Sequence, residues 1–159
     1  MNETTSGLRK FLVVVDDTPE CRLALRFAAR RAKHTGGGMT FLRVNPPADF
    51  QHWIAVEERM RDEAMEESEQ LLQTLATEVH EFVDIRPELV VREGDPRDMI
   101  LALIEEDPDI RILVLAAAAG SEGPGPLVSL LAGKMAGAMH IPVTVVPGNL
   151  TESQIDELT

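Results

Sequence analysis

Short apolar runs alternate with amphipathic segments five times along this chain, and this alternation limits the fold more than any other feature. The apolar runs cover residues 11–15, 39–44, 85–91, 110–116 and 143–146. The segments between them carry apolar residues at helical spacing. Strands that alternate with helices pair in parallel, through right-handed crossovers. The sequence therefore predicts an α/β fold, a doubly wound five-stranded parallel sheet with helices on both faces.

The helical segments also carry recognisable boundary signals. Thr18 and Pro19 provide a cap and a first helical position directly after the first strand, and Gly36 can end that helix. Residues 57–81 form a long amphipathic pattern with a strongly acidic outer side. A second helix is therefore expected there, after a loop at residues 48–53, and further helices are expected at residues 97–106 and 127–139.

Composition indicates one domain and excludes several partners. The chain has 159 residues, of which 44% are hydrophobic, and a formal net charge of −12. This charge repels nucleic acids and anionic membranes, and a single cysteine with no secretory leader pattern fits the cytoplasm. We expect a domain over residues 8–148 and an acidic, partly disordered tail over residues 149–159.

Residues with chemical potential follow the predicted strands, where open α/β sheets hold their ligands. Asp16 and Asp17 follow the first strand, and Val44 and Asn45 end the second. A loop beginning at Gly120 follows the fourth. Its glycines suit a nest of amides around phosphate oxygens, aided by the dipole of the next helix, but they equally suit a simple turn.

The glycine spacing in this loop resembles that of the universal stress protein family. Gly120, Gly123 and Gly133 are separated by two and then nine residues, as in that family's phosphate loop. Residues 13–16 resemble the family's first strand and its aspartate. Residues 94–96, 109–115 and 140–146 resemble its third-helix turn, its fourth strand and its closing strand, so the likeness covers roughly residues 8–148.

The resemblance implies a UspA-like domain with the adenine nucleotide α-hydrolase-like fold. It further implies that Asp16 contacts a ribose, that the Val44 backbone contacts adenine, and that the three glycines line a triphosphate. The implied nucleotide-binding residues are Val14, Asp16, Val44, Gly120, Gly123, Gly133 and Lys134. The implied ligand is ATP or a related adenine nucleotide, with or without Mg²⁺. A homodimer formed through the last strand, residues 143–146, is implied as well.

Three residues depart from the family pattern. Lys134 stands where a hydroxyl residue usually meets the phosphates, Glu122 lies within the loop, and Asp17 adds a second negative charge beside Asp16. Two functions therefore stay open. One is a nucleotide-binding stress-response sensor or carrier, and the other is a nucleotide-free module that acts on an unidentified protein partner.

Other classes fit less well. Asp16 and Asp17 resemble the acidic pair of a phosphorylation receiver domain, but neither the phosphoacceptor aspartate nor the later lysine follows. The four histidines show no metal-ligand spacing. No nucleophile, base and oxyanion donors can be assembled, so we expect no dedicated enzyme, and any ATP hydrolysis should be slow and incidental. Cys21, in the first turn of a helix, is expected to be a packed residue.

Overall fold

The computed structural model describes residues 8–47 and 53–159, and within them it contains one sheet of five parallel strands. The strands are β1 Lys10–Val14, β2 Gly38–Asn45, β3 Glu88–Glu93, β4 Ile110–Ala117 and β5 Val143–Pro147. The helices are α1 Pro19–Thr35, α2 Ile54–Val83, α3 Pro96–Glu106, α4 Pro126–Ser129 and α5 Glu152–Leu158. The predicted α/β class and the parallel sheet are confirmed.

The strand order is β3-β2-β1-β4-β5, so the direction of winding reverses at β1. The chain first moves outward from β1 to β3 and then crosses back to place β4 on the free side of β1. Phe11 of β1 is in register with Met39 of β2 on one side and with Ile112 of β4 on the other. The carboxyl ends of β1 and β4 therefore meet at a topological switch point, where doubly wound folds bind ligands.

Successive residues of β1 enter two separate cores because side chains along a strand point alternately to opposite faces. Phe11 and Val13 pack beneath α1, α2 and α5, whereas Leu12 packs beneath α3 and the segment after α4. Both cores are almost entirely aliphatic. The strand is therefore buried on both faces, as its continuous apolar run predicts.

Side-chain caps begin three of the helices. The Thr18 hydroxyl accepts a hydrogen bond from the Cys21 amide at 3.3 Å, as its position before Pro19 predicts. Asp95 accepts from the Asp98 amide at 3.2 Å, which places the turn at residues 94–96 directly before α3. These caps fix where α1 and α3 leave the sheet.

Two element boundaries differ from the sequence prediction. The third strand was expected at residues 85–91, but pairing begins at Glu88, because Pro87 has no amide hydrogen to donate to the ladder. The second helix was expected at residues 57–81, and α2 is longer, beginning directly after Trp53, which is 85% exposed. Residues 48–52 of the expected loop lie outside the described residues.

The expectation of a single helix at residues 127–139 was wrong. Only Pro126–Ser129 is α-helical, followed by a π-helical turn at Leu130–Lys134 and a 3-10 turn at Ala136–Ala138. The Met135 amide bonds to the Leu130 carbonyl at 2.8 Å, one residue further back than in an α-helix. Glycines at 133 and 137 weaken the α-helical alternative.

The last residues also correct an expectation. The acidic tail predicted to be partly disordered contains α5, which packs on α1. Thr151 and Gln154 form a reciprocal capping box, with bonds of 3.1 and 2.9 Å, and Ile155 is 0% exposed. A buried anchor and a satisfied helix start hold this segment to the domain.

Candidate functional site

The candidate site is the crevice beyond the carboxyl ends of β1 and β4. The amide of Val15 still donates to the Leu42 carbonyl at 2.8 Å, so the chain stays tied to β2 until it reaches Asp16. Across the switch point, β4 ends at Ala117 and continues into the glycine loop. Sheet pairing therefore brings the exits of β1 and β4 to the same edge.

Asp16 is exposed at this edge with a defined carboxylate orientation. Its Oδ1 accepts hydrogen bonds from the Thr18 amide at 3.1 Å and from the Thr18 hydroxyl. Thr18 is in turn the cap of α1, so Asp16 is positioned by the helix start. Among the described residues no group donates to Oδ2, which leaves that oxygen available to hydroxyl donors of a ligand.

One backbone hydrogen bond joins the two ends of the loop between β4 and α4, and the glycines of this loop leave space beside the main chain. The Ala118 amide donates to the Pro124 carbonyl at 3.1 Å. Gly123 has a φ of +94° and Gly125 a φ of +104°, which are backbone conformations that residues with a side chain rarely adopt. A Cβ added to either glycine would meet nothing within 4 Å. A ligand can therefore approach the main chain of this loop closely.

Gly125 was not singled out by the sequence analysis. It precedes α4 and accepts a bond from the Ser129 amide at 3.1 Å, so its conformation decides how the loop enters the helix. The Pro-Gly-Pro triplet at residues 124–126 was the signal that could have identified it. Gly120 is exposed without a positive φ, and the nearest atom to a Cβ added there is the Glu122 amide nitrogen at 4.0 Å.

Gly133 and Lys134 lie at the end of the π-helical turn rather than inside a helix, and both are exposed. A Cβ added to Gly133 would meet nothing within 4 Å. The α4 segment has only four residues, so the helix dipole expected to assist a phosphate is not supplied by this element. Any anion held here would depend on backbone amides and on the Lys134 charge.

Val14 and Val44 lie on the same face of the sheet as α4. Both are partly buried against the second core, together with Leu127 and Val128. The structure therefore brings Val14, Val44 and the start of α4 to one side of the sheet. Asp17 lies elsewhere, because it lines a separate cleft beside α2.

That second cleft has a volume of about 320 Å³ and is polar at its base. The Ser68 hydroxyl of α2 donates to Asn45 Oδ1 at 2.5 Å, and both residues are buried. Arg43 donates to the Val15 carbonyl at 3.4 Å. Asp17 and Arg43 both line this cleft.

Strand β5 is an edge strand, as expected from residues 143–146. Within the described part of the chain it pairs with β4 alone, for example Val145 with Leu115. Its other side presents unpaired backbone groups, which form a template for pairing with another strand.

Cys21 is buried, as expected for a packed residue. Desolvation raises the pKa of its thiol to about 11, so the reactive thiolate is scarce near neutral pH. Over residues 8–47 and 53–159 there is no group of three or more His, Cys, Asp or Glu side chains arranged to hold a metal. Within the same ranges no helix is long and apolar enough to cross a membrane.

Comparison with known proteins agrees with this architecture. The sequence profile of the universal stress protein family matches residues 7–147, so the chain belongs to that family. The curated proteins contain no sequence match to the chain. Among solved structures, the universal stress protein UspA from Lactobacillus plantarum has 18% identity and a TM-score of 0.72, and covers 89% of this chain and 99% of its own.

Two further structural neighbours contain a nucleotide. The universal stress protein from Archaeoglobus fulgidus, in complex with dAMP, has 20% identity and a TM-score of 0.58 over 86% of this chain and 95% of its own. A family protein from Arabidopsis thaliana, with AMP bound, has 19% identity and a TM-score of 0.56 over 87% and 90%. At these identities the likeness establishes the fold.

Proposed function

We propose that this chain binds an adenine nucleotide in the crevice beyond β1 and β4 and acts as a stress-response sensor or carrier. The observation that carries the proposal is the pairing of an open glycine loop with Asp16, whose Oδ2 is uncommitted among the described residues. Relatives of the same fold contain dAMP and AMP. A carboxylate oxygen that can accept hydrogen bonds from hydroxyl groups, at the same sheet edge as an uncrowded glycine loop, suits a ribose joined to phosphate.

Each candidate residue has a distinct part in this proposal. Asp16 accepts from the ribose, and the β2 backbone at Val44 contacts the base beside Val14. Gly120, Gly123 and Gly133 let phosphate oxygens reach the main chain, and Lys134 supplies a positive charge. ATP with Mg²⁺ is the ligand we propose, and we expect any hydrolysis of it to be slow and incidental.

The wider function is proposed on the same basis. A cytoplasmic homodimer would pair two copies of β5, since this edge strand has free backbone groups on one side. A protein partner would then respond to the nucleotide state of the dimer.

A nucleotide-free interaction module is the second candidate, and Glu122 is the residue that favours it. This exposed carboxylate lies inside the glycine loop, where it opposes the approach of phosphate oxygens. In that function the dimer surface and the acidic outer side of α2 would contact the partner.

Calorimetric titration with Mg-ATP and with AMP tests the first candidate. Asp16→Asn should weaken binding about tenfold or more, because one charge-assisted hydrogen bond is lost. Asp17→Asn is the matched control: it removes the same charge one residue away, beside the α2 cleft, and should leave binding close to wild type.

Nucleotide released from freshly purified protein by acid should be measured in parallel by mass spectrometry. Gly123→Val should abolish binding, because its side chain disfavours the positive φ and blocks the open main chain. An empty protein that produces no heat with either nucleotide would reject the first candidate and favour the interaction module.

A further inference from the structure

A third cleft lies at the opposite end of the sheet from Asp16 and the glycine loop. It has a volume of about 520 Å³ and lies between the last part of α1 and the amino ends of β1, β4 and β5. This volume is within the range of about 300–1,000 Å³ that is common for small-molecule sites. Its position separates it from the nucleotide site proposed above.

Three arginines from three different elements line this cleft. Arg9 precedes β1, Arg31 belongs to α1, and Arg111 belongs to β4. None of them forms an ion pair with any residue in the described part of the chain. By contrast, Lys10 in the same cleft is neutralised by Glu88 and Asp107, each at 2.9 Å. Three uncompensated cations at one site are notable in a chain with a net charge of −12.

The remaining lining of the cleft is mixed: five apolar residues stand beside Thr35, His140 and Thr144. Phe11 is 6% exposed and Phe27 and Ile112 are half-buried, while Ile141 and Pro142 precede β5 on the other side. Arg9 and Arg111 are exposed and Arg31 is half-buried, so all three arginines are accessible to an anion from solvent. A ligand here would bury an apolar body and place its charge among the guanidinium groups.

We propose that this cleft binds a small amphipathic anion, one carboxylate or phosphate head on an apolar body. Guanidinium forks match both head groups. The negative charge of the whole chain opposes nucleic acids, and the apolar part of the lining suits a ligand with an apolar body and one anionic head. The volume suits a small molecule, whereas a protein partner would need an interface of about 800 Å² on each side.

Fluorescence of anilinonaphthalene sulfonate, an aromatic anion, provides the test. The dye should bind saturably, and decanoate and decyl phosphate should displace it, with the stronger competitor identifying the preferred head group. Decyltrimethylammonium, with the same alkyl chain and a positive head, should not displace it. Arg111→Gln and Arg31→Gln should each weaken dye binding about tenfold.

Arg86→Gln is the matched control, because Arg86 is an exposed arginine outside the cleft, and it should bind the dye like wild type. Circular dichroism confirms that each variant is folded, and Arg9→Gln replaces any variant that is not. Equal displacement by the cationic detergent would reduce the cleft to an apolar patch and overturn the proposal. The proposal would also be overturned if Arg86→Gln weakened dye binding as much as the cleft variants do. Loss of dye binding in the fractions that size-exclusion chromatography identifies as dimer would overturn it as well.

Discussion

Arg26 and Asp156 join the first and last helices through a bidentate ion pair. Arg26 Nε donates to Asp156 Oδ1 at 2.7 Å, and Arg26 Nη2 donates to Asp156 Oδ2 at 2.8 Å. The same guanidinium lies 5.3 Å from the centre of the Phe82 ring of α2. Three helices therefore meet at one side chain. Residues beyond the 147th position, where the family match ends, are an integral part of this layer.

Removing the buried anchor of α5 should destabilise the whole domain. Ile155→Ala is expected to lower the free energy of unfolding by about 2–4 kcal/mol, because it leaves a cavity in the core beneath α1. Leu158→Ala, on the same helix but with Leu158 63% exposed, should change it by less than about 0.5 kcal/mol. Urea unfolding measures both. If Ile155→Ala lowered the free energy of unfolding no more than Leu158→Ala does, α5 would not belong to the cooperative unit.

Acid should weaken the fold through two carboxylates. The hydrogen bond from Arg26 lowers the pKa of Asp156. Desolvation opposes the shift at Asp107, but bonds from Lys10 and from the Asp109 amide outweigh it and lower that pKa as well. Their stabilisation is complete above the unfolded value of about 4 and is lost as pH falls through the lower folded values.

Urea midpoints between pH 7 and pH 2 test this acid dependence. The double variant Asp107→Asn/Asp156→Asn should be less stable than wild type at pH 7, and the difference should narrow in acid. A constant difference over this range would contradict the proposed linkage, because it would show that neither carboxylate changes its proton binding on folding.

Two glycines should respond in opposite ways to alanine. A Cβ on Gly148 would lie 2.5 Å from the Ala117 carbonyl oxygen and 3.0 Å from Glu20 Cβ, so Gly148→Ala should cost about 1–3 kcal/mol of stability. Gly133→Ala meets open space in a helical turn and should be neutral or slightly stabilising. Thermal unfolding measures both. Equal losses would contradict the assigned geometry at Gly148.

Cys21 should resist modification in the folded protein. Its thiol is buried, and the raised pKa of about 11 keeps the thiolate fraction low at pH 8. Reaction with Ellman's reagent should therefore be slow in buffer and faster by orders of magnitude in urea. Rapid reaction without denaturant would show that the start of α1 opens readily.

The parts of the fold that the sequence predicts well are those determined by local patterns. Five apolar runs identify five strands, and Thr18 with Pro19 identifies the start of α1. The glycine spacing after β4 also locates the candidate loop, because the space beside its main chain comes from the glycines themselves, which can be read in the sequence. Family membership follows from the same motifs.

The parts that were missed depend on competition between weak local signals or on distant contacts. The segment at 127–139 has helical spacing, but glycines let it adopt π and 3-10 turns instead. The last residues are acidic, so a tail was expected, yet Ile155 docks on α1. Arg9, Arg31 and Arg111 are far apart in sequence, and only the fold brings them to one cleft.

The pairing of β1 with β4 has a consequence for synthesis of the chain. Lys10 is in register with Ile110, about a hundred residues later. While the ribosome is still making the intervening segment, β1 can pair only with β2, and its other side remains a bare edge. The crevice at the switch point therefore does not exist until β4 has been made. A chain that stops before β4 cannot hold a ligand there.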